Sequence, residues 1–308
     1  MSPLRLGTRG SALAMAQSGL VAAALAEQSG RNVELVEITT AGDLSSAPIT
    51  QLGGTGVFVS ALREALLTGE IDVAVHSYKD LPTAPADGLV IAAVPPRGDP
   101  RDVLVARDGL TLATLPAGAR IGTGAPRRVA QLNALKAGFT CVPIRGNVDT
   151  RIGKTTSGEV DAVVLAYAGI SRLGRIAEVT DVLDPQILLP APAQGALAIE
   201  CRTDNTAMVT LLGALDDPET RAAVVAERAL LAALEAGCTA PVGALAEVAT
   251  ADDDLPELFL RGSVTAADGS DAIRLSATGP VDSPEAVGQR LAADLLADGA
   301  SKLLGSPR

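Results

Sequence analysis

LRLGTRGSALAMAQSGLVAAALAEQSGRNVELVEIT, residues 4–39, decides the fold. The apolar run LRLGT reads as a strand, SALAMAQSGLVAAALAEQ as a helix and VELVEIT as a second strand. Strand, helix and strand in that order form a βαβ unit, which requires parallel strands. The pattern continues with a helix over VFVSALREALLTG and a strand at DVAVHS. A second series follows: DVLVA, ARIGT, the helix RRVAQLNALKAG, TCVPI, a helix after RGNVDT, and DAVVLA. Two similar α/β units with mostly parallel sheets are therefore expected, joined at the Pro/Gly-rich stretch VPPRGDPRD. A second proline-rich crossing, LLPAPAQGALAIECR, carries the chain back to the first unit, and two crossings imply a hinge. Beyond residue 216 the sequence predicts two helical runs, strands at ALAEVAT, LFLRGSV and IRLSATG, and a last helix from Ser283, which make a small α+β third domain.

Composition narrows the function. At 308 residues and 47% hydrophobic content, the chain has enough apolar material for two or three cores. A net charge of −11 and 2% aromatic residues, with no Trp, argue against a nucleic-acid partner. No apolar run approaches the ~18 residues that cross a membrane, and MSPLRLGTRG lacks a secretory pattern, so a cytoplasmic protein is expected. Cys141, Cys201 and Cys238 are scattered without a C-x-x-C pair, and no metal site is expected. The single histidine, His76, reads first as a packed strand residue and second as a base.

Charge is unevenly spread: residues 1–100 carry −4, residues 101–195 carry +3 and residues 196–308 carry −10. Arginine outnumbers lysine 21 to 4, and its planar fork matches carboxylates. Arg9 and Ser11 lie in GTRGS between a strand and a helix, where free backbone N–H groups favour an anion. GTGAPRRVAQL repeats that arrangement with Arg127 and Arg128; Arg145 and Arg151 follow the next strand, and Arg172 another. Any one of these reads equally as a solvated helix-start arginine in an ion pair. Together, at the carboxyl ends of successive strands, they point to an extended ligand with several acidic groups. Lys79 and Asp80, ending DVAVHSYKDLP, are either a surface ion pair or a cation and carboxylate facing that ligand. Cys238, in the turn LEAGCTAPVG, is either an idle loop cysteine or a nucleophile or attachment point; Cys141 and Cys201 lie in strand-like runs and read as packed.

GTRGSALA, GGTGVFVSALREALL, DVAVHSYKDLP, RRVAQL, RGNVDTR, LAYAGISRLG, QGALAIE and AGCTAPVG, in this order, resemble the hydroxymethylbilane synthase (porphobilinogen deaminase) family from about residue 4 to 245. The resemblance implies two α/β domains of the periplasmic-binding-protein kind with a hinge, and a small α+β third domain. Its expected boundaries are 1–96 with 196–215, including a mobile loop at about 42–56; 97–195; and 216–308. It implies an enzyme that joins four porphobilinogen molecules into a linear tetrapyrrole with loss of ammonia. The chain grows on a dipyrromethane cofactor held by a thioether to Cys238, and the enzyme is expected to be a monomer. Asp80 matches the family's catalytic carboxylate, which stabilises the cation left when ammonia departs. Ser11, Lys79, Asp80, Arg127, Arg128 and Arg145 match cofactor-binding positions; Arg9, Arg145, Arg151, Arg172, Gln194 and Phe58 match substrate-binding positions. The chain departs from the family at Ala41, Gln51 and Thr55, where basic residues are common, in GTGAP, and at Ala193, where glycine is usual. The arginines alone are explained as well by a two-domain small-anion binding or effector-sensing protein, and Cys238 alone by a cysteine enzyme of another class.

Overall fold

The computed structural model describes residues 2–39, 59–236, 240–250 and 255–304, in two compact units. The first comprises 1–97 and 196–221, the second 98–195 and 222–308.

The first unit opens with β1 (Leu4–Thr8), α1 (Ala12–Ser29) and β2 (Val33–Glu37), as the opening stretch predicts. Ser11 caps α1 by accepting the Ala14 N–H (3.3 Å), and Gly30 ends the helix in the left-handed region. There follow α2 (Ser60–Leu67), β3 (Val73–Ser77) and β4 (Leu89–Ala93). After the second crossing come β10 (Leu197–Arg202) and, late in the unit, a helix at Thr206–Gly213. The strand order is β2-β1-β3-β10-β4; β1 runs parallel to β2 and β3, and β10 antiparallel to β3 and β4. Leu4, Leu6, Val73, Val75 and Ile199 pack with Leu25 of α1 in its core.

The second unit builds the same sheet from β5 (Asp102–Ala106), β6 (Arg120–Gly122), β7 (Thr140–Val142), β8 (Ala162–Ala166) and β9 (Asp181–Val182). Its order is β7-β6-β8-β5-β9, with β6 parallel to β7 and β8 and with β5 antiparallel to both its neighbours. In each sheet the antiparallel strand is the first one laid down after a crossing. Strands β5 and β8 are almost wholly buried, as expected of sheet strands covered on both faces. Helices α3 (Pro126–Ala134), α4 (Val148–Thr156) and α5 (Tyr167–Arg172) follow β6, β7 and β8.

With α6 the helix Thr206–Gly213 noted above, α7 runs from Pro218 to Ala233. The two helical runs expected beyond residue 216 are thus one: PETRAAVVAERALLAA has no internal Gly or Pro to break it. The other helix, α6, lies before residue 216. An antiparallel sheet of β11 (Val242–Thr250), β12 (Pro256–Thr265) and β13 (Ala272–Pro280) packs on α7, α8 (Pro284–Ala297) and α9 (Ala300–Leu304) through Leu230, Leu260, Leu291 and Leu295. Exposed and half-buried residues alternate through Ala272–Ser276 at the start of β13, the mark of a sheet with one open face. The chain therefore has two α/β sheets of one design and a small α+β element.

His76 is buried on β3, and its Nε2 lies 3.1 Å from Glu200 on β10. Arg63 of α2 donates its Nε to both Glu200 oxygens at 3.1 Å. Burial would raise the Glu200 pKa, yet hydrogen bonds from His76 and Arg63 hold it below its ordinary 4.5. This is the structural reading of His76.

At the second crossing Gly195 adopts φ +91°, and a Cβ there would stand 2.3 Å from the Gly98 carbonyl oxygen. The two passages are joined by the Gly98 N–H, which donates to the Gly195 oxygen (3.3 Å). Gly195→Ala is expected to lower unfolding free energy in denaturant by about 3 kcal/mol, through left-handed strain and overlap with backbone. A depressed carboxylate pKa stabilises above the unfolded value and loses that contribution as pH falls. Glu200→Gln should therefore be less stable than wild type at pH 7, with the gap narrowing below pH 4.5; a gap independent of pH would contradict the ion-pair account.

Candidate functional site

In the first unit the candidate residues stand at the carboxyl ends of two adjacent parallel strands, where open α/β sheets bind ligands. Arg9 and Ser11 follow β1; Lys79 and Asp80 follow β3. The segment after β3 is a single 3₁₀ turn, Tyr78–Asp80. Tyr78 is buried and donates its N–H to the Ala196 oxygen (3.0 Å), and Leu81, also buried, donates its own to Tyr78 (3.2 Å). Two apolar anchors thus bracket Lys79 and Asp80, which are half-buried. Gln17 of α1 donates Nε2 to Ser77 Oγ (2.9 Å), fixing the helix that Ser11 caps against the strand that leads to Asp80.

In the second unit the cations follow β6, β7 and β8, parallel strands whose carboxyl ends point the same way. Antiparallel β5 runs the other way, with Asp102, its first residue, opposite Ala166, the last of β8. Strand direction therefore delivers a carboxylate into the arginine cluster. Asp102 Oδ2 accepts from Arg127 Nη2 (2.8 Å), and Oδ1 accepts from Arg128 Nη2 (2.7 Å) and Gln194 Nε2 (2.8 Å). Arg127 Nη1 also donates to the Leu189 oxygen (2.6 Å) and Arg128 Nη1 to that of Val164 (2.9 Å). Gln194 Nε2 lies within 2.7 Å of the Pro100 oxygen as well.

Asp102 is 0% exposed, and Arg127 and Arg128 are 4% and 5% exposed. Burial would raise the Asp102 pKa, but the two guanidinium groups hold it far below the carboxylate range. Burial also pushes Arg127 down, against the attraction of Asp102. The Arg127–Asp102–Arg128 group keeps one net positive charge, and the Nε atoms of both arginines are buried without a hydrogen-bond partner among the described residues. The adjacent arginines are thus ion-paired, as the plainer reading of the sequence allows, but to an internal carboxylate.

The remaining cations differ in exposure. Arg172 is half-buried, donates Nη2 to the Gly195 oxygen (2.7 Å) and is pushed down by burial. Arg151 donates Nε to the Gly146 oxygen (2.8 Å), and Arg145 is exposed. Cys238, Phe58, Ala41, Gln51, Thr55 and the loop at about 42–56 lie outside the described residues. Cys201 is buried, and burial pushes its thiol up to about 11; Cys141 is half-buried. Among the described residues no cluster of three or more His, Cys, Asp or Glu is placed to share a metal ion, and no helix is long and apolar enough to cross a membrane.

Sequence reading passed over Asp102, whose one signal is an acid opening the apolar run DVLVA directly after a crossing. It also passed over the buried anchor Tyr78 and the partners of His76.

Residues 4–210 match the family model described as "Porphobilinogen deaminase, dipyromethane cofactor binding domain", and residues 221–297 match "Porphobilinogen deaminase, C-terminal domain". Porphobilinogen deaminase 1 of Streptomyces coelicolor is 61% identical across 98% of this chain and 97% of its own. The Mycobacterium tuberculosis porphobilinogen deaminase is 55% identical across 99% of each. Among solved structures, the methionine binding protein MetQ is 12% identical over 69% of this chain and 89% of its own, with a TM-score of 0.45. The BvgS periplasmic VFT2 domain of Bordetella pertussis is 15% identical over 68% and 85%, at 0.41. With both its family models matched in order and relatives aligned along nearly its whole length, this chain belongs to the porphobilinogen deaminase family.

Proposed function

We infer that this chain joins four porphobilinogen molecules head to tail into linear hydroxymethylbilane, releasing one ammonia per unit. The observation that carries the reading is the match to the cofactor-binding domain over residues 4–210, within which Asp80 and the arginine set all lie in the segments that follow the carboxyl ends of parallel strands. The dipyrromethane, when bound through Cys238, supplies the free pyrrole α-carbon from which the product grows. The residues present suit such a group. The Arg127–Asp102–Arg128 group is cationic and retains two buried Nε donors, and an oligopyrrole bears two carboxylates on every ring.

Asp80 is assigned to the reacting centre, with its carboxylate accepting pyrrole N–H. As the aminomethyl C–N bond of porphobilinogen breaks, ammonia leaves with the bonding electrons, and Asp80 stabilises the positive charge left on the pyrrole. A new C–C bond then forms to the end of the growing product, and the α-proton displaced there is released. For release, the C–C bond tying the finished tetrapyrrole to the dipyrromethane would break, the ring carbon taking back a proton, and water would add to the cation left on the released methylene to give the hydroxymethyl terminus. Lys79, Arg9, Ser11, Arg127, Arg128, Arg145, Arg151, Arg172 and Gln194 are assigned to the acidic side arms. Phe58 is assigned to the substrate. The seven named cations fall short of the roughly twelve carboxylates of six linked rings, so crowding of charge limits elongation. We further propose that residues 216–308 form the domain presenting Cys238 and that the enzyme is a cytoplasmic monomer, in keeping with a small water-borne substrate.

Asp80→Asn is expected to fold and to lose at least about 100-fold in kcat, since it removes a charge at the developing cation. Near-native turnover in that variant would refute its role. Peptide mass mapping of active enzyme should find Cys238 carrying two pyrrole units, and an unmodified Cys238 would refute the cofactor attachment.

A further inference from the structure

Glu227 lies in the middle of α7, is 0% exposed, and its carboxylate accepts two backbone N–H groups. Oε2 accepts the Ala193 N–H (2.5 Å), and Oε1 accepts the Ala246 N–H of β11 (2.8 Å). A carboxylate is costly to bury, and one held on two amides fixes them relative to each other. Ala193 is held in the left-handed region (φ +61°), where a side chain is disfavoured and persists only if its surroundings impose it. The next residue is Gln194, which donates to the Pro100 oxygen and to Asp102, the acceptor of Arg127 and Arg128. Beyond it, Gly195 accepts from Arg172. The helix that carries Glu227 ends at Ala233, five residues before Cys238.

We propose that Glu227 is a positioning residue: by clamping the Ala193 peptide in its left-handed conformation it sets Gln194 against Asp102, and so registers the paired arginines to the helix leading to Cys238. This rests on the reading of Arg127 and Arg128 as carboxylate-binding groups. Glu227 touches no reacting atom. Its effect on Gln194 passes through the Ala193 peptide, so a residue indifferent to left-handed backbone at 193 should relieve that effect.

The test uses purified holoenzyme of wild type, Glu227→Gln, Ala193→Gly and the double variant. Glu227→Gln replaces one acceptor by an NH₂ group facing an amide N–H. It should raise KM for porphobilinogen about tenfold with kcat within about twofold. Adding Ala193→Gly should return KM most of the way to wild type, because glycine adopts the conformation unaided. Amide hydrogen exchange in a peptide spanning residues 188–196, measured on the same holoenzyme preparations, should quicken about 100-fold in Glu227→Gln and slow again in the double variant. Unchanged KM and exchange in folded Glu227→Gln would overturn the proposal. So would a double variant that regains thermal stability without regaining KM, or one that does not fold. Arg128→Leu serves as the control for the underlying reading: if its KM is unaltered while exchange at 188–196 responds as predicted to Glu227→Gln, the arginine reading fails and the clamp stands.

Discussion

The second unit is organised around one carboxylate. Asp102 sits with no solvent access between Arg127, Arg128 and Gln194, and it is the feature on which the geometry of the cationic site depends. A buried charge survives only when paired and hydrogen-bonded, and the acceptors here are met from α3 and from the second crossing. The result is a rigid group in which two guanidiniums share one counter-charge. The leftover positive charge cannot swing away, since each arginine is also tied to a backbone oxygen, of Leu189 or Val164. For a ligand studded with carboxylates, such donors are aimed before binding and lose little freedom on contact.

The first unit solves a different problem with the same strand ends. There Asp80 is half-buried in a short turn bracketed by Tyr78 and Leu81, which are driven into the core. Behind it β3 is held by the buried contact of His76 with Glu200 and by the Gln17–Ser77 hydrogen bond. Asp102 is consumed in holding arginines, whereas Asp80 is half-buried at the end of its turn. What separates the two acids is the direction and packing of the strands that carry them.

Much of this was legible in the residues. Alternating apolar runs and helical patterns placed β1, α1, β2 and β3 and the series from β5 to β8, because each element buries its own run. The arginines were legible as a set through their recurrence after strands. Asp102 was not, because an acid opening an apolar strand looks like a solvated end unless the strand is known to run antiparallel to its neighbours. Sequence periodicity carries no strand direction. Beyond residue 216 two helical runs were expected where one helix, α7, precedes β11. Ala193 looked like a lost glycine, and the structure gives that substitution its meaning by placing the residue at positive φ.

The central claim, that the Asp102-held guanidiniums grip the acidic side arms of a growing pyrrole chain, is tested most directly by intact-mass spectra taken at intervals after porphobilinogen is added. Wild-type protein should show masses rising in equal steps of one pyrrole unit, whereas folded Arg128→Leu should show only the first of those steps or none. A ladder of the same length and pace in Arg128→Leu would contradict the account.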